Sequence, residues 1–270
     1  RDTAHWVSLL RYVGCTGHAH EVATLFGDEI AIRSQTLVHD AGNPAEVIRD
    51  VITFATAKRP PEERDQVVQF IQQNAREWAT HNFSSGCEVG DMLVRRIEFG
   101  PEVREALRFT FERWAGTGYP AHAKGTDIPR PMRVVHLSHD MEAIARLFSI
   151  DPALEAARDR RDRTYDPALV DLFVEHGRTC LERLKTIDPW DSVMALEPEP
   201  RRVFDGDALD AALTVAADFI DLKSPYMGGH SRRCAQLAVA AARVLGLSNE
   251  ACSMLRRAAL VHDFGTTAVS

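Results

Sequence analysis

A histidine and an aspartate stand side by side near the end of the sequence, at His262 and Asp263. An imidazole nitrogen and a carboxylate oxygen together make a ligand pair that suits a first-row divalent metal ion. The pair follows a helical pattern over 249–262 and precedes Gly265, so it also fits an ordinary helix C-terminus in which His262 caps the last turn. These two residues alone leave both interpretations open.

The residues around this pair resemble a segment near the N-terminus. Residues 7–16 align without gaps with residues 258–267, and Arg11-Tyr12 then stands where His262-Asp263 stands. The other coinciding positions are Leu10 and Val261, Gly14 and Gly265, and Thr16 and Thr267. An internal repeat bears on the whole fold. This one predicts two copies of a helical module, of which the earlier copy has lost its metal-binding pair.

The composition limits the classes of protein to which the chain can belong. Its 270 residues are 45% apolar, which is enough for a folded chain with a substantial core. The net charge of -7 gives no basic surface of the kind that binds nucleic acid. No apolar run is long enough to span a membrane. The five cysteines show no CxxC spacing, so neither a disulfide framework nor a zinc ribbon is indicated, and a reducing cytoplasm fits.

Nearly every periodic segment has the apolar spacing of a helix, which predicts an all-α fold. These segments are 2–13, 18–26, 44–57, 62–79, 87–97, 101–114, 132–148, 167–185, 207–221, 230–245 and 249–262. Prolines between 188 and 207 mark a boundary. We therefore expect a first module over 1–195, a Pro-rich linker over 196–206 and part of a second module over 207–270. The chain begins at Arg1 inside a helical pattern and stops soon after the His-Asp pair, so we expect a piece of a longer protein.

Two more histidines, His18 and His20, have the appearance of a metal-binding pair. Side chains two residues apart on a helix point in different directions, so these two cannot share one ion there. We expect both to be surface or capping residues.

The stretch after Arg108 is the most informative part of the sequence. Glu112-Arg113-Trp114 is followed by Gly116-Thr117-Gly118-Tyr119-Pro120 and then by Ile128-Pro129. This order resembles the HD-GYP branch of the HD-domain metal phosphohydrolases. The resemblance implies an all-helical, HD-domain-like bundle that holds two or three iron- or manganese-type ions. It also implies hydrolysis of cyclic di-GMP, in which metal ions activate water and clamp the phosphate oxygens.

In the first module, the resemblance places other residue types at the positions of the family's metal ligands. The replaced positions are Arg11, Tyr12, Gly86, Thr110, Phe111, Ala115 and His139. Arginine, glycine and phenylalanine are not ordinary metal ligands, so no metal is expected in this module. The loop formed by Gly116, Gly118, Tyr119 and Pro120 is expected to persist as a scaffold.

In the second module, the resemblance implies a metal site. The stretch from Asp221 to Arg233 resembles the opening of the family's domain, in which a helix beginning Gly-His-Ser supplies the first metal histidine, here His230. His262 and Asp263 follow 32 residues later and match the family's His-Asp pair in type and position. The implied metal ligands are thus His230, His262 and Asp263, and the implied catalytic residues are His262 and Asp263. Iron or manganese is the expected ion, and further ligands are expected after Ser270.

Two departures from the family bear on this site. Tyr226 stands where three-metal members carry glutamate, which favours two metal ions at most. Thr266 stands where the lysine that follows the His-Asp pair is usual, which weakens contact with phosphate.

Two functions follow from these observations. In one, the parent protein is a metal-dependent phosphodiesterase acting on a cyclic dinucleotide, and its first module is regulatory. In the other, the chain is a non-catalytic sensor or dimerisation region of a LuxR-type transcriptional regulator. DNA would then be bound only by a domain outside this chain. A homodimer formed by exchange of helices across the stiff linker is one expectation. The alternatives are that 207–264 completes the first module within one chain or packs on it as a separate helical hairpin. No membrane partner is expected.

Overall fold

The computed structural model describes residues 1–57 and 59–269, and these residues form an all-helical bundle. The described part contains thirteen α-helices and no β-strand, so the predicted all-α class is confirmed. The helices are α1 (Asp2–Leu10), α2 (Ala19–Phe26), α3 (Glu29–Thr36), α4 (Pro44–Ala57), α5 (Pro61–Arg96), α6 (Pro101–Leu107), α7 (Arg130–Leu147), α8 (Ile150–Asp159), α9 (Pro167–Leu184), α10 (Pro189–Ala195), α11 (Gly206–Asp221), α12 (His230–Val244) and α13 (Asn249–Val261). Among the described residues, no helix combines the length and the apolarity that crossing a lipid bilayer requires.

Several helices differ from the expected ones. Helix α5 runs without a break through 61–96, although two helices were predicted there. Its glycines sit where another backbone packs closely, so tertiary contact outweighs their low helix propensity. Helices α3, α8 and α10 lie in segments for which no helix was predicted, and α6 ends at Leu107 instead of at residue 114.

Helix α7 joins the two apolar cores of the first 195 residues. Met132 and Val135, in its first half, pack in a core with residues from α1, α5 and α6. Met141 and Ile144, in its second half, pack in a core with residues from α8 and α9. A helix with neighbours on several sides must be apolar around most of its surface. Helix α7 accordingly buries nine of its residues.

Helices α11, α12 and α13 form a smaller group around Ala217, Ala235 and Leu260. Helix α11 lies against α5 and the 3-10 turn Cys15–His18, so it connects this group to the first module. The predicted linker 196–206 falls between the end of α10 and the start of α11. The division into two modules stays a prediction, as does the homodimer.

The two segments aligned as a repeat have the same local structure. Helix α1 ends at Leu10, and a turn containing Arg11-Tyr12 leads into the 3-10 turn Cys15–His18. Helix α13 ends at Val261, and a turn containing His262-Asp263 leads into the 3-10 turn Phe264–Ala268. In each segment the two paired residues therefore lie directly after the C-terminal end of the helix.

The close approach of Gly14 to α5 yields a prediction about stability. Gly14 has an ordinary φ of -84°, but an added Cβ would lie 1.8 Å from the carbonyl oxygen of Gly86 and 2.8 Å from the amide nitrogen of Gly90. Two backbones would have to separate, so we expect Gly14→Ala to lower the free energy of unfolding by about 2 kcal/mol or more. Urea unfolding followed by circular dichroism measures this. Gly265→Ala is the control, because an added Cβ meets open space there; equal stability of the two variants would contradict the prediction.

Candidate metal centre

His230 is held in place by a buried junction between α11 and α12. The neighbouring Ser231 donates from its backbone nitrogen and its hydroxyl to the Asp221 carboxylate, at 3.1 and 2.7 Å. Both Asp221 and Ser231 are almost fully buried. Gly229 precedes His230 with a φ of 72°, a conformation that favours glycine, and turns the chain into the helix. The end of α11 thus fixes the first turn of α12 and the histidine at its start.

His262 has one ring nitrogen committed to the protein. Its Nδ1 lies 2.8 Å from the carbonyl oxygen of Ala259, and a carbonyl can only accept a hydrogen bond. Nδ1 must therefore carry a proton, so that in the neutral ring Nε2 holds the lone pair that a metal ion needs. Histidine ligands of metals are commonly oriented by this kind of hydrogen bond to the other ring nitrogen.

The three ligands predicted from the sequence meet at one place. Asp263 Oδ2 lies 3.2 Å from His262 Nε2 and 3.5 Å from His230 Nε2, and the two imidazole rings are 5.6 Å apart between centroids. All three side chains are partly exposed. Two imidazoles and one carboxylate at these separations fit a single divalent ion.

A fourth side chain, which the sequence argument missed, adjoins this group. The Sγ atom of Cys234 lies 3.4 Å from His230 Nε2. The ligand atoms of His230, Cys234 and His262 all lie within 4.8 Å of one another. The spacing of four residues between His230 and Cys234 on a helix was the available signal, since it places both on one face.

The structure shows the surroundings of Tyr226 and Thr266, the two residues that depart from the family pattern. Tyr226 is 85% exposed, and its ring lies edge-on to His20 at 6.0 Å. Thr266 donates its hydroxyl to the carbonyl of Asp263 at 2.7 Å, and its own carbonyl accepts from Lys223 Nζ at 2.8 Å. A lysine therefore reaches this segment from another part of the chain and binds backbone oxygens there.

The positions predicted to be degenerate in the first module also converge. Arg11, Gly86, Thr110 and Phe111 line one cavity of about 10 Å³. The ring of Tyr12 lies 6.4 Å from that of Phe111 and 5.4 Å from that of His139. Positions far apart in the sequence thus share one region, as the resemblance implied. That they descend from metal ligands stays a prediction.

Buried cations occupy the surroundings of these positions. Arg11 and Arg113 are 5% and 8% exposed. Burial alone would raise the pKa of the Asp140 carboxyl, but a hydrogen bond from His139 at 2.9 Å and the charges of Arg113 and Arg11 lower its pKa to about 2. The phenol of Tyr165 donates to the same carboxylate at 2.9 Å. Two guanidinium groups therefore supply positive charge to a buried carboxylate in this region.

The loop 116–120 folds over Glu112. A Cβ on Gly118 would lie 2.4 Å from the Cα of Glu112, and Gly116 has a φ of 79°, so both glycines are needed for the loop's path. The Tyr119 ring lies 5.6 Å from that of Phe83. Burial raises the pKa of the Glu112 carboxyl, whose Oε1 accepts from the Ala121 backbone at 2.7 Å. These contacts support a scaffold role for the loop, including the Pro120 that follows Tyr119.

His20 lies at the surface as predicted, whereas His18 occupies the N-cap position of α2 without a side-chain capping hydrogen bond and is not at the surface. His20 is exposed, but His18 is 9% exposed, and its Nδ1 has no hydrogen-bond partner among the described residues. Its Cε1 lies 3.2 Å from where a Cβ of Gly86 would be, so the ring fills space that a side chain at position 86 would need. Periodicity over so short a helix did not show which side of it was buried.

Comparison with known proteins supports the fold and the general chemistry. The chain matches no model of a known protein family. It is 29% identical to the 3'3'-cGAMP-specific phosphodiesterase 3 of Vibrio cholerae over 266 residues, which cover 97% of this chain and 58% of that protein. It is 26% identical to the 3'3'-cGAMP-specific phosphodiesterase 2 of the same organism over 185 residues, which cover 65% of this chain and 32% of that protein.

A solved structure of a protein named as a phosphodiesterase is also similar to the chain. The crystal structure of a cyclic GMP-AMP-specific phosphodiesterase of V. cholerae superposes with a TM-score of 0.65 and 27% identity, covering all of this chain and 70% of that one. The fold is thus an all-helical, HD-domain-like bundle, as predicted. Since the chain spans 58% of the length of the first relative, the activity of the whole protein is a matter for proposal.

The geometry predicts where metal binds. We expect the purified chain to retain at least one equivalent of iron or manganese, and His262→Ala to reduce this about tenfold or more, because one ligand of three is removed. His139 is the one remaining residue of a metal-ligand type at the degenerate positions, and one ligand does not make a site. His139→Ala should therefore keep the wild-type metal content. Elemental analysis measures both contents; metal lost in His139→Ala and kept in His262→Ala would reverse the assignment.

A second cluster is a control for this measurement. Ligand atoms of His39, Glu46 and Asp50 also lie within 4.8 Å of one another, and His39 Nδ1 pairs with Asp50. If His262→Ala keeps residual metal, His39→Ala in the same background shows whether that metal is bound here.

Buried His18 yields a pH prediction. Burial, followed by the charge of Arg33, lowers its pKa from 6.5 to about 4. Between these two pH values the imidazole of His18 binds a proton in the unfolded chain but not in the folded chain. The stability contributed by the neutral, buried His18 is therefore present above pH 6.5 and is lost as the pH falls towards 4. We expect this loss to lower the free energy of unfolding by about 3 kcal/mol over that interval. His18→Gln should flatten urea-derived stability against pH, whereas His20→Gln should keep the wild-type slope; equal slopes for wild type and His18→Gln would contradict the prediction.

Proposed function

We propose that this chain is part of a metal-dependent phosphodiesterase that hydrolyses a cyclic dinucleotide. The observation that carries the proposal is the convergence of His230, His262 and Asp263, in which Nδ1 of His262 bonds to Ala259 and Nε2 faces the Asp263 carboxylate. Similarity along 97% of the chain to a protein named as a 3'3'-cGAMP-specific phosphodiesterase supports the substrate class. The fold alone would not do so, because one fold supports many functions.

Each residue of the centre has a distinct part in this function. His230, His262 and Asp263 would hold the ion, which when bound activates water and clamps phosphate oxygens. Asp221 keeps His230 in place through Ser231. The carbonyl of Ala259 holds His262 in the tautomer that can bind metal. The centre lies at a partly exposed surface, where a dinucleotide can reach it.

We assign a non-catalytic, regulatory role to the first module. Support comes from its predicted degenerate positions, which hold guanidinium and aromatic side chains, and from the burial of Arg11 and Arg113 in the same region. The module touches the candidate centre through α11, whose Asp218 pairs with Arg96 of α5 and with Arg232 of α12. A change in the first module can therefore reach the helix that carries His230.

The LuxR-type alternative stays a prediction. It requires that neither module be catalytic, whereas the ligand group at His230 has the composition and spacing of a metal site. Iron or manganese stays the expected ion for this centre on the resemblance.

The function is tested by removing one ligand. In the protein that contains this chain, loaded with iron or manganese, we expect hydrolysis of 3'3'-cGAMP or cyclic di-GMP to fall about a hundredfold or more in Asp263→Ala. The variant should stay folded by circular dichroism, because a partly exposed ligand carboxylate contributes more to metal binding than to packing. Chromatography of the nucleotide products measures the rate.

The matched control is Asp151→Ala, which removes an exposed aspartate that pairs with Arg178 far from the centre in sequence. It should retain the wild-type rate. Normal hydrolysis by Asp263→Ala would show that the site assignment is wrong. No hydrolysis of either dinucleotide by the metal-loaded wild type would favour the non-catalytic alternative.

A further inference from the structure

We infer that Cys234 supplies a thiolate ligand to the metal centre, alongside His230, His262 and Asp263. The inference rests on the proposed metal site and adds to it a residue and a metal preference. It starts from the position of Cys234 one helical turn after His230, on the same face of α12.

The sulfur is placed against a ligand nitrogen. Cys234 Sγ lies 3.4 Å from His230 Nε2, the same nitrogen that lies 3.5 Å from Asp263 Oδ2. It lies within 4.8 Å of the ligand atom of His262. The sulfur and both imidazoles therefore lie around one small volume, and the Asp263 carboxylate adjoins it through its contacts with the two imidazoles.

Three separations among these atoms, one N–S and two N–O, are close to those of a tetrahedral complex. With metal bonds of about 2.3 Å to sulfur and about 2.0–2.1 Å to nitrogen or oxygen, tetrahedral angles put ligand atoms roughly 3.5 Å apart for N–S pairs and roughly 3.3 Å for N–O pairs. The observed values are 3.4 Å for the N–S pair and 3.2 and 3.5 Å for the two N–O pairs. Octahedral right angles would give about 2.9 Å for N–O pairs from the same bond lengths.

An ordinary buried cysteine in the same helical group provides the contrast. Cys252 is 6% exposed and lies in α13, and its Sγ is 3.9 Å from the carbonyl of Leu247. It behaves as a small apolar residue with a weak backbone contact. Cys234 is half-buried and faces an imidazole at the edge of the candidate centre. Packing explains the first cysteine, and ligation explains the second.

A sulfur ligand changes which metal the site prefers. Thiolate together with imidazole selects zinc or iron, whereas sites of oxygen ligands suit manganese and magnesium. With Cys234 as a ligand, the site should prefer zinc or ferrous iron to manganese. Replacing Cys234 with a residue that lacks sulfur should reduce the difference in affinity between zinc or ferrous iron and manganese.

Cobalt is a suitable probe because its colour reports the ligands. We expect the whole chain titrated with Co²⁺ to show visible ligand-field bands and a near-ultraviolet sulfur-to-cobalt charge-transfer band. X-ray absorption of the zinc form should show one sulfur at about 2.3 Å. Cys234→Ser should lose the charge-transfer band and the sulfur shell, keep visible bands, and bind Co²⁺ roughly 10–100-fold more weakly. Cys252→Ser should match the wild type.

The outcomes separate the two claims. If the wild type binds Co²⁺ in a His262-dependent way without a sulfur band, the ligand role of Cys234 is overturned and the proposed metal site stands. A band that survives in Cys234→Ser, or vanishes in Cys252→Ser, also overturns it. If the wild type binds neither Co²⁺ nor Zn²⁺, the proposed metal site itself fails, and the role of Cys234 fails with it.

Discussion

The carboxylate of Asp221 is the interaction on which the candidate centre depends. It is 3% exposed and accepts hydrogen bonds from the backbone and the hydroxyl of Ser231. A buried carboxylate without such donors would be strongly unfavourable, so the start of α12 must stay where it satisfies this group. His230 precedes Ser231 directly, and its place relative to His262 is set by this junction and by the packing of α12 on α13.

The carboxylates of Asp140 and Asp263 have different kinds of basic side chains beside them. Asp140, in the first module, has a pKa lowered to about 2 by the hydrogen bond of His139 and by the charges of Arg113 and Arg11. The positive charge that compensates Asp140 comes from side chains of the protein itself. Asp263 lies instead beside the imidazoles of His230 and His262, and this set of side chains suits an external cation. Guanidinium groups thus compensate Asp140 from within the chain, whereas the proposed metal ion would compensate Asp263.

Much of the fold and part of the centre could be predicted from the sequence. The spacing of His230, His262 and Asp263, together with the resemblance of their surroundings, predicted ligands that the structure brings together. Cys234 was not identified in this way. A cysteine one turn after a histidine indicates a metal ligand only when the position of His262 beside it is known.

The link between the first module and the centre is better explained by packing than by ion pairs. Asp218 pairs with Arg96 and Arg232, but these arginines are 33% and 45% exposed, and ion pairs of this kind contribute about 0–1 kcal/mol each. Helix α11 also buries Val215 and Ile220, and full burial of each such side chain contributes about 1.5–3 kcal/mol. Burial of these side chains is therefore a larger effect than the two ion pairs in holding α11 in the bundle, where it packs against α5. Because Asp221 is the last residue of α11, the position of α11 also sets where the first turn of α12 presents His230.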